Sequence, residues 1–353
     1  MQGIEIWFVG MLVIVNAGLS AWCFRHLPEE RWQMLAAVPL RKEKDGKWQG
    51  LNLTYYGLFN AIAYTVATAL AFTLSASAGV SPAMVTAMLA VLIAVCTPAS
   101  RGVAFLVERK RHTLTVGGAS FVGILLSPLL VWAAGWLSSR LGGAAIPVWP
   151  VLAAFSIAYA FGEGIGRLAC ISFGCCYGRP IDSLPAPLRE WLRPLAFRFA
   201  GHTRKIAYAS ALEHQPVLPV QAFTNVLYLV AGTIGICLYL RGASFRAFML
   251  TLVVTQAWRV FSEFFRADYR GGGRFSAYQC MSVVGLAYAA CLPLVFPTGQ
   301  QPPPDLAAGL AALWTPAMLL ALQGLFIFAF LFTGRSEVTD SRIAFRVVRD
   351  RVA

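Results

Sequence analysis

The chain has 353 residues, of which 58% are apolar and only 13% are charged, whereas a soluble domain is about half apolar and about a quarter charged. This composition excludes a disordered chain, a coiled coil and a small disulfide scaffold, and it argues against a water-soluble globule. Lysine and arginine total 29 against 16 acidic residues, which gives a net charge of +13. In so apolar a chain this excess indicates loops that face anionic lipid, or sites that hold anions, rather than nucleic acid.

Nine apolar runs predict an all-α polytopic membrane protein. Each run can cross a hydrocarbon core of about 30 Å, and only helices satisfy the backbone groups of such runs within lipid. The runs cover residues 6–24, 51–74, 80–100, 114–138, 143–173, 217–240, 247–265, 275–296 and 306–332. The first run lacks a basic start and is longer than a leader peptide, so we interpret it as a span.

Polar segments separate these runs and suggest three regions. Residues 1–50 hold one span and a polar loop, residues 51–297 form a membrane core, and residues 298–353 hold a last span and a basic tail. Within the core, residues 174–216 predict a small irregular cap outside the membrane. Nearly all basic residues fall on one side of a nine-span arrangement, which the positive-inside rule assigns to the cytoplasm.

Charged residues within a span indicate function, because an arginine at mid-bilayer costs about 2.5–3.5 kcal/mol. Glu163 and Arg167 lie in a glycine-rich stretch that ends the fifth run. Glycine lets the backbone approach a ligand, and the planar guanidinium group suits phosphate. The alternative is a plain i,i+4 pair that neutralises the helix end.

A second charged stretch contains Arg259, Glu263 and Arg266 at i, i+4 and i+7. This spacing predicts one stripe on a helix. Two arginines against one carboxylate leave positive charge for an anionic ligand to balance. A charge network between helices, with no ligand, is the alternative interpretation.

Other motifs are weaker when taken alone. The glycines around Gly117 and Gly118 can equally serve close helix packing, and Tyr56 at a span start can be an interfacial anchor. The eight cysteines form no paired CxxC set, and Cys170, Cys175 and Cys176 have no histidine nearby at zinc-finger spacing. We therefore interpret the cysteines as small hydrophobic residues and predict no metal centre.

Taken together and in this order, the segments resemble the prolipoprotein diacylglyceryl transferase family of bacterial inner membranes, over about residues 51–290. The positions that match its motifs are Tyr56, Gly57, Arg101, Gly102, Gly117, Gly118, Ser120, Phe121, Gly123, Gly166, Arg167, Gly174, Gly178, Arg179, Pro219, Gln221, Arg259, Glu263, Phe264, Phe265, Arg266, Asp268, Gln279 and Ser282. The resemblance implies seven family-like spans plus one extra span at each end.

The resemblance also implies an activity. Such an enzyme moves the diacylglyceryl group of phosphatidylglycerol onto the lipobox cysteine thiol of a prolipoprotein and releases glycerol phosphate. Its partners would be phosphatidylglycerol, the prolipoprotein and membrane lipids, with no nucleic acid, no cofactor and no metal. The residues with implied catalytic roles are Arg167, Arg259, Glu263 and Arg266. Those expected to bind substrate are Tyr56, Arg101, Gly117, Gly118, Ser120, Glu163, Gly166, Gly174, Gly178, Gln221 and Gln279.

Departures from the family pattern leave alternatives open. Val122 stands where the family has a histidine, and Thr224 stands where it has a glutamate. Cys170 and Cys175 replace an asparagine and a glutamate of the signature. His112 is a candidate substitute for the missing base. The alternatives are a related transferase with another acceptor and a transporter of an anionic lipid or solute. The family orientation, which we favour here, would place the motifs in the periplasm, against the positive-inside rule.

Overall fold

Helices form most of the protein. The computed structural model describes residues 3–109, 115–268, 275–299 and 301–352, and twelve helices lie within these ranges. They are α1 (Gly3–His26), α2 (Tyr55–Ser77), α3 (Pro82–Glu108), α4 (Val116–Arg140), α5 (Val148–Phe173), α6 (Ala186–Leu192), α7 (Lys205–Ser210), α8 (Val220–Leu240), α9 (Ser244–Ser262), α10 (Ala277–Val295), α11 (Leu306–Leu313) and α12 (Pro316–Gly334). The strands are β1 (Met34–Lys42), β2 (Trp48–Thr54), β3 (Phe197–Arg198), β4 (Pro216–Val217) and β5 (Arg335–Ile343).

Eight of the described helices are long and apolar enough to cross a membrane, namely α1 to α5, α8, α10 and α12. The predicted all-α polytopic membrane class is therefore confirmed. Nine spans were predicted, and the one that is not found among the described helices is α9, which is not apolar enough to count as a span. It is as long as α10, but Arg246, Gln256 and Arg259 make it less apolar.

The last apolar run was expected to be one span and is instead two helices. Pro316 opens α12 at its first turn, and proline has no N–H to continue the hydrogen-bond ladder of α11. The Thr315 hydroxyl donates to the Ala312 carbonyl at 3.3 Å in its place. The chain therefore breaks between Leu313 and Pro316.

The centre of the bundle is α5. It packs against α2, α8, α9 and α4 and is the most deeply buried of the eight spans. Small residues on its surface let neighbouring helices approach closely. Gly162 is one example, since a Cβ there would lie 2.9 Å from Ala67 of α2.

The segment between α1 and α2 meets the segment after α12 in a three-stranded antiparallel sheet with the strand order β1-β2-β5. Trp48 of β2 pairs with Ile343, and Leu51 pairs with Asp340. Strand β2 leads directly into α2, and β5 follows directly from α12. Because α2 and α12 pack together, with Gly57 against Gly334, their strands leave the bundle side by side. The basic tail is thus in part a strand.

The expected small cap over residues 174–216 contains only short helices, tight turns and the β3–β4 pair. Arg204 lies buried at its base. Its guanidinium group donates to the carbonyls of Ala200, Ile171, Ser172 and Leu27 at 2.6–3.1 Å, and to that of Glu29. Burial lowers the pKa of Arg204 to about 10, so the group stays charged at neutral pH. It ties the cap to the ends of α1 and α5.

Candidate active site

Glu163 lies on α5 and gathers two arginines. It accepts a hydrogen bond from Arg167, one turn further along α5. Arg259 of α9 donates from Nη1 to both carboxylate oxygens, at 2.6 Å and 2.8 Å. The side chains of Glu163, Arg167 and Arg259 are only 2%, 10% and 11% exposed. The i,i+4 pair expected from the sequence is present, but it belongs to a larger cluster.

Tyr159 extends this cluster towards α4. Its hydroxyl donates to Glu163 and accepts from Arg259 Nη1 at 3.2 Å, and the Ser120 side chain of α4 lies close to it. Gly117 lies directly against the second arginine, since a Cβ there would come within 2.9 Å of Arg259 Nη2. The glycine motif of α4 therefore leaves room for the guanidinium group.

The two arginines line a small pocket that is partly open. Arg266, Cys176 and Gln221 also line it. Among the described residues that line the pocket, Arg167 and Gln221 each have a buried side-chain atom, Nε and Oε1, without a hydrogen-bond partner. One carboxylate faces two arginines at this point, so the pocket offers positive charge and an unused N–H donor. Such a pocket suits a phosphate group.

The expectation that Arg259, Glu263 and Arg266 share a helical stripe is wrong. Helix α9 ends at Ser262, a tight turn covers Glu263–Phe265, and Arg266 has an extended backbone. Its side chain makes a two-pronged pair with Asp268, with Nε to Oδ1 at 2.8 Å and Nη2 to Oδ2 at 2.7 Å. Glu263 Oε1 lies 3.8 Å from Arg266 Nη1.

Arg266 is charged despite its burial. Burial alone would lower its pKa, but the neighbouring carboxylate of Asp268 outweighs this effect and raises the pKa above its ordinary value. The backbone holds the residue in place, because Gly178 and Arg266 form an antiparallel bridge. The Arg179 N–H donates to Phe265 O at 2.9 Å, on one side of this bridge.

Two glycines that the resemblance assigns to substrate binding shape the chain leading to this bridge. Gly174 ends α5 in the left-handed region, with φ at +68°, where glycine is favoured. Gly178 lies so close to the chain before α8 that a Cβ would be 2.5 Å from Leu218 O. Both place the segment that carries Cys176.

Two glutamines that the resemblance also assigns to substrate binding form hydrogen bonds with the backbone. Gln221 Nε2 donates to Cys175 O at 2.8 Å. Gln279 completes a capping box at the start of α10, where its Oε1 accepts from Ser276 N at 2.9 Å. Its Nε2 donates to Val260 O at 3.1 Å. Gln279 thus fixes α10 to the end of α9, which carries Arg259.

The remaining expected residues lie outside the pocket lining. Tyr56 packs against Phe173 with ring centroids 5.5 Å apart, and Gly166 makes ordinary contact with Ala63. Gly118 packs against Val103 of α3. Arg101 is exposed and lies over the Phe332 ring at 5.0 Å.

The structure also shows where Val122 lies, the residue that stands in place of the family histidine. Val122 follows Gly118 by four residues and so shares its face of α4, which packs on α3. His112, the candidate substitute base, lies outside the described residues.

Residues that the sequence reasoning missed are Tyr159, Tyr228 and Trp258. Tyr159 precedes Glu163 by one helical turn, so its i,i+4 spacing could have revealed it. Tyr228 and Trp258 line the pocket, and Trp258 Nε1 donates to Thr224 Oγ1 at 2.8 Å. No local pattern marks these two, because each looks like an ordinary aromatic residue of a span.

Comparison with known proteins identifies the family. Residues 47–295 match the model of the prolipoprotein diacylglyceryl transferase family, which is more than half of the chain. A search among curated proteins finds no match for the chain. The matched region contains the whole cluster of Glu163, Arg167 and Arg259, together with the cap. This chain therefore belongs to the prolipoprotein diacylglyceryl transferase family and is a transferase of lipoprotein biosynthesis.

Proposed function

We propose that the protein transfers the diacylglyceryl group of phosphatidylglycerol to the lipobox cysteine thiol of a prolipoprotein in the bacterial inner membrane. One observation carries the proposal. Glu163 holds Arg167 and Arg259 together at a pocket that Arg266 also lines, and Arg167 Nε is buried there without a partner. An anionic head group would supply both the missing charge and the missing acceptor.

The chemistry of this transfer needs such a pocket. The acceptor thiol loses its proton, because the thiolate is the nucleophile. Its sulphur attacks the glycerol carbon that bears the phosphate, the carbon–oxygen bond breaks, and the electron pair leaves with glycerol phosphate. The phosphate thereby gains one negative charge. Guanidinium groups held in advance where this charge develops lower the barrier.

The pocket also lies at a suitable depth. Arg167 precedes the end of α5 at Phe173 by six residues, which is about 9 Å along a helix. The arginines are thus near the end of a span, where a lipid head group can reach them. We assign phosphate stabilisation to Arg167 and Arg259, with Arg266 in support, and the positioning of both arginines to Glu163.

The test uses purified full-length protein in detergent with phosphatidylglycerol and a lipobox peptide. Mass spectrometry should show a diacylglyceryl gain on the peptide cysteine. Arg167→Ala and Arg259→Ala should abolish the gain, whereas Arg193→Ala, an exposed cap residue, should leave it unchanged. Equal gain in all variants would refute the assigned roles.

A second candidate function is a related transferase with a different acceptor. Val122 favours it, since the family histidine is replaced at this position. Release of glycerol phosphate without a mass gain on the peptide would support this alternative. Lipid binding without any turnover would contradict both enzymatic proposals and favour a transporter.

A further inference from the structure

Three cysteine sulphurs converge next to the arginine pocket. The Sγ atoms of Cys170, Cys175 and Cys176 all lie within 4.8 Å of one another. Cys170 is in the last turn of α5, and the other two follow the Gly174 turn. Cys176 also lines the pocket with Arg167 and Arg266. The assigned reaction uses none of these sulphurs.

The backbone is bent to bring them together. Cys176 has φ at +57°, a left-handed conformation that costs a non-glycine residue about 1–2 kcal/mol. Neighbouring contacts hold it there, because Gln221 bonds to Cys175 O and the Ala267 N–H donates to Tyr177 O at 3.1 Å. The convergence is therefore imposed by the fold around the segment.

The surrounding charges suit a thiolate–metal group. Three thiolates around one divalent ion carry a net charge of −1. Arg167 and Arg266 both interact electrostatically with Cys176. Arg266 is paired with Asp268, whereas Arg167 and Arg259 share Glu163, so one positive charge of those two arginines is left to balance the metal group. Soft sulphur ligands select ions such as Zn²⁺ over Mg²⁺ or Ca²⁺.

We propose that Cys170, Cys175 and Cys176 bind one Zn²⁺ ion, with a fourth coordination position open towards the arginine pocket. Zinc–sulphur bonds of about 2.3 Å in a tetrahedral site separate the sulphurs by about 3.8 Å, which small side-chain rotations can reach. Within the described part of the chain, no further His, Cys, Asp or Glu joins this group. Three protein ligands with one open position are typical of a reactive zinc site rather than a structural one.

The open position would take a thiol, and this part of the inference rests on the proposed function. The acceptor cysteine would bind as the thiolate and release its proton to solvent. Its sulphur would attack the glycerol carbon of the donor, and the bonding electrons of the broken carbon–oxygen bond would leave with the phosphate on the arginines. The site would thus activate the thiol without the histidine that Val122 replaces in the family pattern.

The first measurement is the metal content of the full-length protein in detergent, purified without chelators and then loaded with Zn²⁺. We expect about one zinc per chain, lost in the triple variant Cys170→Ser, Cys175→Ser, Cys176→Ser. The control is Cys280→Ser with Cys291→Ser, which removes two exposed cysteines elsewhere. In the unmodified protein, Co²⁺ should give a thiolate-to-cobalt charge-transfer band, which tests the site even if the triple variant does not fold.

A second measurement separates this inference from the proposed function. A lipobox peptide added to the Co²⁺ protein without phospholipid should shift the band, and its serine analogue should not. Zinc bound without diacylglyceryl transfer would refute the proposed function only, and transfer by a zinc-free protein would refute the role of the metal. Absence of stoichiometric metal after loading, or a native disulfide between any two of the three cysteines, would overturn the site itself.

Discussion

Arg259 Nη1 lies 2.6 Å and 2.8 Å from the two carboxylate oxygens of Glu163, although 96 residues separate the two along the chain. The contact joins α9 to α5 at the pocket. Since Glu163 also accepts from Arg167, one carboxylate orients two guanidinium groups and leaves an excess of positive charge.

Glu163→Gln should uncouple the two arginines while keeping the size of the side chain. We expect diacylglyceryl transfer to fall about 100-fold, as for loss of a preorganised charge stabiliser. The variant should also lose about 3 kcal/mol of stability, because two buried cations lose their counter-charge. Transfer assays and thermal unfolding in detergent measure both effects.

A specific control accompanies this variant. Added inorganic phosphate should raise the melting temperature of Glu163→Gln more than that of the unchanged protein, because the anion can replace the lost carboxylate. Glu190→Gln, at an exposed cap position, should behave like the unchanged protein. Full activity in Glu163→Gln would contradict the positioning role.

Gly57→Ala should force α2 and α12 apart. A Cβ at Gly57 would collide with the Gly334 backbone, and backbone atoms cannot move aside as a flexible side chain can. We expect a loss of about 1–3 kcal/mol, seen as a lower melting temperature. Gly324→Ala in the same α12 is the matched control, since a Cβ there meets nothing within 4 Å. Similar melting temperatures for the two variants would rule out this close contact.

Arg204→Gln should loosen the cap. The arginine bonds to five carbonyls that belong to the ends of α1 and α5 and to the cap itself. Its loss leaves buried acceptors unpaired, so the free energy of unfolding should fall by at least about 3 kcal/mol. Limited proteolysis should then cut within residues 174–216. Arg198→Gln, which removes one exposed bond to His214 O, should leave the cap resistant.

Removal of residues 335–353 should expose the edge of β2 but spare the pocket. Strand β5 pairs with β2 from Trp48 to Leu53, and none of the described residues that line the pocket lies beyond Arg266. We expect faster proteolysis within residues 34–54 and a lower melting temperature, with transfer activity retained. Loss of transfer in a folded truncated protein would show that the tail contributes to the site.

The sequence predicted the parts of the site that are local. The i,i+4 spacing indicated the Glu163–Arg167 contact, because residues four apart share one face of a helix. The same reasoning failed for Arg266, since the spacing assumed that α9 continued past Ser262. The chain turns there instead and pairs with the segment around Gly178, so Arg266 meets Asp268 rather than a helical stripe.

Contacts between segments far apart in the chain could not be predicted from local sequence patterns. No sequence feature of the basic tail predicts that it pairs with β2. The pairing follows from the side-by-side packing of α2 and α12. The three cysteines are close in sequence, but their convergence depends on left-handed turns at Gly174 and Cys176. The contacts of Gln221 and of residues 265–267 hold the segment around Cys176 in place.

The sequence by itself determined the membrane class, most of the spans, the family and the arginines that carry the charge excess. These properties follow from composition, from the length of apolar runs and from motifs in fixed order, all of which are local or additive. Only the tertiary structure decided which charges meet, that Arg259 of α9 pairs with Glu163 of α5, and that Cys176 faces the same pocket. The physical reason is that contacts between helices depend on close packing at glycines such as Gly117 and Gly162, which a linear pattern does not encode.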